Sequence, residues 1–376
     1  MRVTIARDEL LTALQRVQGV VEKRNTMPSL ANVLLEAKTE GLDILATDLE
    51  LGMRGLYKAK VEEPGSVTFS AKKLYEILKE IKEPDVSLSV TDHSLVTIRA
   101  GRSQFKVVGL PSKDFPPLPS IEREGLIPLP GASLLRLIRK TLFAVGDNDT
   151  RYVLNGLLIT LLSNEGKPLI RLVGTDGHRL AVADQELEVG QDAAFPADTK
   201  VIVPKKAAQE IRRLLEEGGD EPMIGFTKNM LIFRKSGLVL TSRLMEGNYP
   251  NYQQVIPKES SKKVTVNRED FEGALRRVSV LSRDKTYAVK VTFAPDHLTL
   301  FSSHPDMGEA VEEIQAQFNG EEFSAGFNAR YLLEVLTIMD SETIELQMDA
   351  PLSPCLLKET DSQQLFFKAV VMPVKV

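Results

Sequence analysis

Asp176 and His178, two residues apart in the run GTDGHRL, are the nearest approach in this chain to an acid–base pair. A carboxylate beside an imidazole could orient the ring to activate water, the chemistry of a hydrolase. Asp and Gly are also turn residues, and an Asp-Gly-His turn with a structural role is the favoured reading. The other histidines are His93, His297 and His304. No GxxxxGK[ST] phosphate loop, GxGxxG fingerprint, HExxH pair or GxSxG elbow occurs. The single cysteine, Cys355, lies in PLSPCLL, which reads as a strand holding a buried, inert thiol. Carboxylates are plentiful but form no metal-loop pattern. The expectation is a protein with no catalytic residues, no metal and no cofactor.

The elements around these residues repeat. Val3-Thr4-Ile5 is followed by RDELLTALQRV, Ile127-Pro128-Leu129 by GASLLRLIRKTLF, and Val264-Thr265-Val266 by NREDFEGALRRV. Leu10, Leu14 and Val17 recur at helical spacing, as do Leu134, Ile138 and Leu142, and Phe271, Leu275 and Val278. Each opening leads to a second strand–helix unit: VTFSAKKLYEILKEI, VIVPKKAAQEIRRLLEE and FSAGFNARYLLEVLTIM. Alternating runs such as LDILATDLELGMRGL, SLVTIRAGRSQFKVVGL, MLIFRKSGLVLTSRL and LFFKAVVMPV read as antiparallel strands. The result is an α+β protein of three similar domains, each with two helices packed on antiparallel sheets, at 1–122, 123–254 and 255–376.

Composition narrows the class. A chain of 376 residues, 43% hydrophobic and 26% charged, can bury several cores and is not broadly disordered. It holds no apolar run long enough for a membrane helix. The opening MRVTIARDELLTAL lacks the apolar core of a secretory signal, and one cysteine fits a reducing compartment, so the expected location is cytoplasmic. A net charge of -5 disfavours a globally basic DNA coat, though not a local basic surface.

Several helices place bases opposite their apolar stripe. Lys72 and Lys79 lie opposite Leu74, Ile77, Leu78 and Ile81; Lys206 and Arg213 lie opposite Ala208, Ile211 and Leu215. Arg136, Arg139 and Lys140 lie opposite Leu134, Ile138 and Leu142, and Arg276 opposite Phe271, Leu275 and Val278. One such helix is ordinarily a solvated face. Recurrence in equivalent helices of an acidic protein points to a segregated basic surface that holds phosphates without reading bases.

The blocks RYVLNGLL, GTDGHRLAV, VIVPKK, NYPNYQQVIP, GFNARYLLEVL and VVMPVKV occur in order along the chain. Towards the front stand MPSLANVLLEA, LATDLELGM, AGRSQFKV and LPSKDFPPLP. Together these resemble the bacterial DNA sliding clamps, the beta subunits of the replicative DNA polymerase III holoenzyme, over essentially the whole length. The resemblance implies a ring-shaped homodimer, closed head to tail, that encircles double-stranded DNA and tethers its partners without catalysing a reaction. The partners implied are duplex DNA of any sequence, a second copy of the chain, the polymerase III catalytic subunit, the clamp loader and other proteins carrying the clamp-binding motif, with no membrane.

The resemblance also assigns residues. It implies DNA-facing roles for Arg24, Lys72, Asn148, Arg151, Tyr152, Lys205, Lys206 and Arg213, to which the helix faces add Lys79, Arg136, Arg139, Lys140 and Arg276. Phe105 and Val107 match one side of the subunit interface, and Val280 and Leu281 the other. A partner-peptide pocket is implied at Leu154, Thr175, Gly177, His178, Arg179 and Leu180, at Pro250 and Val255, at Asn328 and Tyr331, and at Val370, Met372, Pro373 and Val374. Gln254 and Thr286 depart from the residues common in the family. The alternatives are a monomeric DNA-binding or interaction module of the same fold, and a hydrolase using Asp176 and His178.

Overall fold

A computed structural model describes residues 1–21, 27–91, 94–118, 125–164, 167–187, 198–258, 260, 262–282, 287–360 and 366–375. The chain forms two compact units, Met1–Gly131 with Gln209–Leu244, and Ala132–Ala208 with Met245–Val376. Six α-helices occur among the described residues: α1 (Arg7–Val17), α2 (Ala71–Glu80), α3 (Gly131–Leu142), α4 (Lys205–Glu216), α5 (Arg268–Val278) and α6 (Ala329–Ile338). They fall two to each third, as the periodicity predicts. The starts of three are set by side chains: Ser70 accepts from Lys73 N, Asn267 from Glu269 N and Asp270 N, and Asn328 from Arg330 N. The apolar stripes face inward, with Leu10, Leu14, Leu74, Leu78, Phe271 and Leu275 fully buried.

Every sheet is antiparallel. In the first unit, a five-stranded sheet runs Lys60–Glu63, Arg2–Ala6, Asp85–Val90, Leu95–Ala100, Ser103–Val108. An eight-stranded sheet runs Ile127–Pro128, Met223–Phe226, Met230–Lys235, Leu238–Arg243, Leu51–Tyr57, Gly41–Thr47, Asn32–Lys38, Gly65–Ser70. In the second unit, a twelve-stranded sheet begins Lys200–Pro204, Gly156–Asn164, Lys167–Thr175, Arg179–Glu186 and continues through Phe366–Val371 into the strands of the last third. The two larger sheets therefore each join strands from two successive thirds. Leu51 pairs with Ser242 at one junction, and Arg179 with Val371 at the other.

The repeat extends to single hydrogen bonds at these junctions. Thr47 Oγ1 donates to Leu51 O at 3.0 Å and accepts from Leu49 N at 3.0 Å, while Asp48 Oδ1 accepts from Glu50 N and Leu51 N. Thr175 Oγ1 donates to Arg179 O at 2.6 Å and accepts from Gly177 N at 3.1 Å, while Asp176 Oδ1 accepts from His178 N and Arg179 N. The central residue is left-handed in both turns, φ 81° at Leu49 and 82° at Gly177. The next chain docks alike: Arg243 N–H donates to Glu50 O and Met372 N–H to His178 O, each at 2.8 Å.

The structure corrects one residue of the basic faces. Lys140 is 2% exposed and does not belong to a solvated surface. It sits at the flank of the α3 apolar stripe, one turn after Arg136 and beside the buried Leu137. There its ammonium meets Glu359 Oε1 at 2.7 Å and Asp340 Oδ2 at 2.9 Å, above the Phe367 ring at 5.2 Å. The Glu359 side chain is 4% exposed and that of Asp340 78%. Lys140→Ala would strand a buried carboxylate. In urea denaturation it should cost about 3–5 kcal/mol, whereas Asp340→Ala should cost under about 1 kcal/mol.

Candidate functional site

The residues of GTDGHRL form the tip of the hairpin between Lys167–Thr175 and Arg179–Glu186. Gly177 suits this position: its φ is left-handed, which glycine adopts without strain, and the Arg151 guanidinium lies 2.6 Å from where a Cβ would stand. The Asp176 carboxylate is occupied by the turn. One oxygen accepts from the His178 and Arg179 backbone N–H groups at 2.9 Å, and the other meets Arg179 Nε at 3.0 Å. Asp176 thus holds the backbone of His178, and the exposed imidazole instead stacks on Tyr331, with ring centroids 6.4 Å apart. This is the arrangement of a turn, not of a carboxylate orienting a general base.

Arg179 fastens the tip to its surroundings. Its side chain is 10% exposed, pairs with Asp176 and Glu334, and lies over the rings of Tyr331 at 4.6 Å and Phe143 at 5.3 Å. The chain that leaves the strand Phe366–Val371 then runs beside the turn. Met372 N–H donates to His178 O, and Val374 N–H donates to Gly326 O at 2.9 Å. Met372 packs on a cluster containing Leu158, Val173, Leu180, Tyr249 and Val370. Tyr249 is buried, its hydroxyl donating to Val173 O at 3.3 Å, and burial pushes its phenol well above the usual range.

The expected pocket residues sort into three levels. Leu154, Thr175, Leu180 and Val370 are buried and form the floor. Arg179, Asn328, Tyr331, Met372, Pro373 and Val374 are half-buried. Gly177, His178, Pro250 and Val255 are exposed. The structure adds Val153, Tyr252 and Ile256, which pack partly buried on the same cluster. Val153 falls in the run RYVLNGLL, and Tyr252 and Ile256 in NYPNYQQVIP, where the short 3-10 turn at Tyr252–Val255 leaves these two half-buried and the three residues between them exposed. The arrangement is a groove with a mostly apolar floor, backbone-pinned walls and an exposed rim, suited to an extended ligand with apolar side chains.

Among the basic residues, Lys72, Lys79, Arg136, Arg139, Arg151 and Arg276 are exposed, as are Asn148 and Tyr152, the last at 64%. Arg276 also pairs with Glu272. Lys205 is half-buried, donating to Val145 O at 3.1 Å, and Lys206 is half-buried. Arg213 is engaged in structure: it pairs with Glu210 and donates to the carbonyls of Gln15 and Arg16. Arg24 lies outside the described residues, as does Thr286. Phe105 and Val107 are half-buried on Ser103–Val108, the edge strand of the five-stranded sheet. Val280 is 50% exposed and Leu281 half-buried in the single turn that follows α5.

Arg151 connects two of these sets. It grips Asp149 through two bonds, at 2.8 and 3.0 Å, and donates to Asp176 O in the groove turn at 2.8 Å. The guanidinium holds the Asp149 carboxyl down at about 2, below its ordinary 3.8. A depressed carboxyl pKa stabilises the fold above the ordinary value, and that contribution is lost as pH falls from 3.8 through about 2. NMR titration of Asp149 should give a midpoint near 2, and Arg151→Ala should raise it towards 3.8.

Comparison with known proteins finds the same relatives for every part of the chain. Residues 1–119, 128–251 and 253–375 match the models of the N-terminal, central and C-terminal domains of the DNA polymerase III beta subunit. The beta sliding clamp of Caulobacter vibrioides is 38% identical over 378 residues, covering 100% of both chains. The crystal structure of a sliding clamp from Bartonella birtlesii bound to griselimycin superposes with a TM-score of 0.93 at 35% identity, covering 100% of both chains. The DNA polymerase sliding clamp of Bacillus subtilis gives a TM-score of 0.92 at 28% identity, covering 100% of this chain and 99% of the other.

Proposed function

This chain belongs to the DNA polymerase III beta subunit family, the beta sliding clamps, and from that premise we propose how it works as a processivity clamp. Three clamp domains, at 1–122, 123–254 and 255–376, make one subunit, and two subunits close head to tail around duplex DNA in the cytoplasm. Retention is topological. Lys72, Lys79, Arg136, Arg139, Arg151, Lys205, Lys206 and Arg276, with Asn148 and Tyr152, face the phosphates. Base contacts would create stalling sites, so the surface attracts without reading sequence. Lys140 has no part in this surface, and Arg213 is chiefly a brace for the carbonyls in the last turn of α1. Arg24 is proposed on family resemblance alone.

The groove at the GTDGHRL turn receives short extended peptides of the polymerase catalytic subunit, the clamp loader and other partners. The observation that carries this reading is the pinned tail: Met372 N–H bonds His178 O, and the half-buried Met372, Pro373 and Val374 leave an apolar wall beside an exposed rim. Met372 adapts to different side chains, which suits several related partners. The protein has no turnover of its own in this reading. In support, the Asp176 carboxylate is committed to backbone N–H groups and Arg179.

Two results test the reading. A labelled peptide with a glutamine and large apolar residues, titrated against the protein lacking Met372 to Val376, should bind at least tenfold more weakly, a loss of ~1.4 kcal/mol or more. Equal affinities would remove the tail from the groove. Val280→Ala with Leu281→Ala should cost the subunit contact roughly 2–5 kcal/mol, so sedimentation at micromolar concentration should show monomers where the unmodified protein is a dimer. A stable monomer before substitution would contradict the ring.

A further inference from the structure

The turn Thr47–Leu51 repeats the turn Thr175–Arg179 bond for bond, yet a different set of side chains surrounds it. The agreement covers the threonine and aspartate bridges, the left-handed central residue and the backbone bond from the following strand. It also covers the core beneath. Leu34, Leu45 and Phe115 form a buried cluster with Leu118 packed against it, in the places that Leu158, Val173, Tyr249 and Tyr252 take at the other junction. Beside the first turn lies a cleft of about 740 Å³, within the first unit. That volume falls in the range of ligand pockets.

The cleft has a built floor and a charged mouth. Thr47, Ile232 and Thr241 are buried at its base. Leu118 closes over the backbone at Gly52, where a Cβ would lie 2.7 Å from its Cδ2. Leu49 stands 48% exposed on the rim. It holds a left-handed conformation that is strained for a branched side chain and that glycine supplies freely in the second turn. At the mouth Arg243 and Glu50 are 64% and 68% exposed and approach only to 4.0 Å. Such a contact contributes little, which leaves the guanidinium available to a closer carboxylate.

We propose that this cleft is a second peptide-binding pocket, taking an extended segment in which an apolar side chain enters beside Leu49 and Leu118 and a neighbouring carboxylate pairs with Arg243. The peptide class rests on the groove reading above, because the two sites share one frame. The chemistry differs. Arg243 stands where the other site has Met372, and Glu50 where it has His178, so the first cleft selects an acidic segment and the second an apolar one.

The two sites carry separate reporters, since Met230 lines the cleft and Met372 the groove. The test uses the full-length protein with 13C-methyl methionine, its signals assigned by Met230→Leu and Met372→Leu. The probe is the pentapeptide Gly-Leu-Asp-Leu-Gly, blocked at both ends, and its Asn analogue. A saturable shift of the Met230 methyl is expected, at least fivefold weaker with the Asn analogue or in Arg243→Ala and at least twofold tighter in Glu50→Gln. No shift at Met230 up to about 5 mM, past the ~1 mM of a single anchored contact, overturns the inference. Equal response to the Asp and Asn peptides, or indifference to Arg243→Ala, overturns it too. Movement of Met372 alone would sink the second pocket and leave the groove standing. Movement of Met230 alone would support the second pocket and count against the groove.

Discussion

Antiparallel pairing across the borders of the internal repeat organises the rest of this structure. Leu51–Tyr57 pairs with Leu238–Arg243, and Arg179–Glu186 with Phe366–Val371. Each pairing commits the backbone polar groups of a border strand to its successor, so no open edge is left where two thirds meet. Each also fixes where the following chain runs past a hairpin tip, because the bond to Glu50 O or His178 O extends the ladder beyond the last pair. The groove at the second tip is a consequence of that extension. So is the cleft at the first.

The same logic applies where pairing stops. The five-stranded sheet has two edges. Lys60–Glu63 is four residues long and carries Lys60, Glu62 and Glu63, the short charged kind of edge that resists further pairing. Ser103–Val108 is longer and alternates, with Phe105 and Val107 half-buried and Val108 77% exposed. An edge of that composition is suited to another chain, which agrees with the proposed subunit contact. Charges within the units are handled by pairing. Arg179 is sandwiched between two aromatic rings and two carboxylates, and Lys140 between Glu359 and Asp340. Breaking one member of such a set costs more than the set contributes, since the partner remains desolvated.

Much of the fold was legible in the sequence. Helical spacing of Leu10, Leu14 and Val17, and of their counterparts in each third, places the helices to within a residue or two, because a one-sided apolar stripe has no stable alternative. The turn reading of Asp-Gly-His holds because Asp and Gly favour that backbone whatever packs around it. Lys140 was misread for a definite reason. At the flank of a stripe, a side chain turns outward or inward according to what the next layer offers, and the carboxylate of Glu359 is more than two hundred residues away in sequence. The role of Arg151 in bracing Asp176 O was hidden in the same way, as was that of Arg213 in holding Gln15 and Arg16. Val153, Tyr252 and Ile256 fall in quoted runs, yet only the three-dimensional cluster distinguishes them from their exposed neighbours.

Topological retention is the central claim, and the measurement that bears on it most directly is release from DNA of different topology. The protein, loaded by a clamp loader onto nicked circular DNA, is passed through gel filtration in about 1 M salt, where the Debye length is ~3 Å and phosphate contacts are screened. The account predicts that the protein stays with the circle and departs once the circle is cut by a restriction enzyme. Loss from the intact circle in salt, or equal retention on linear and circular DNA, would contradict it.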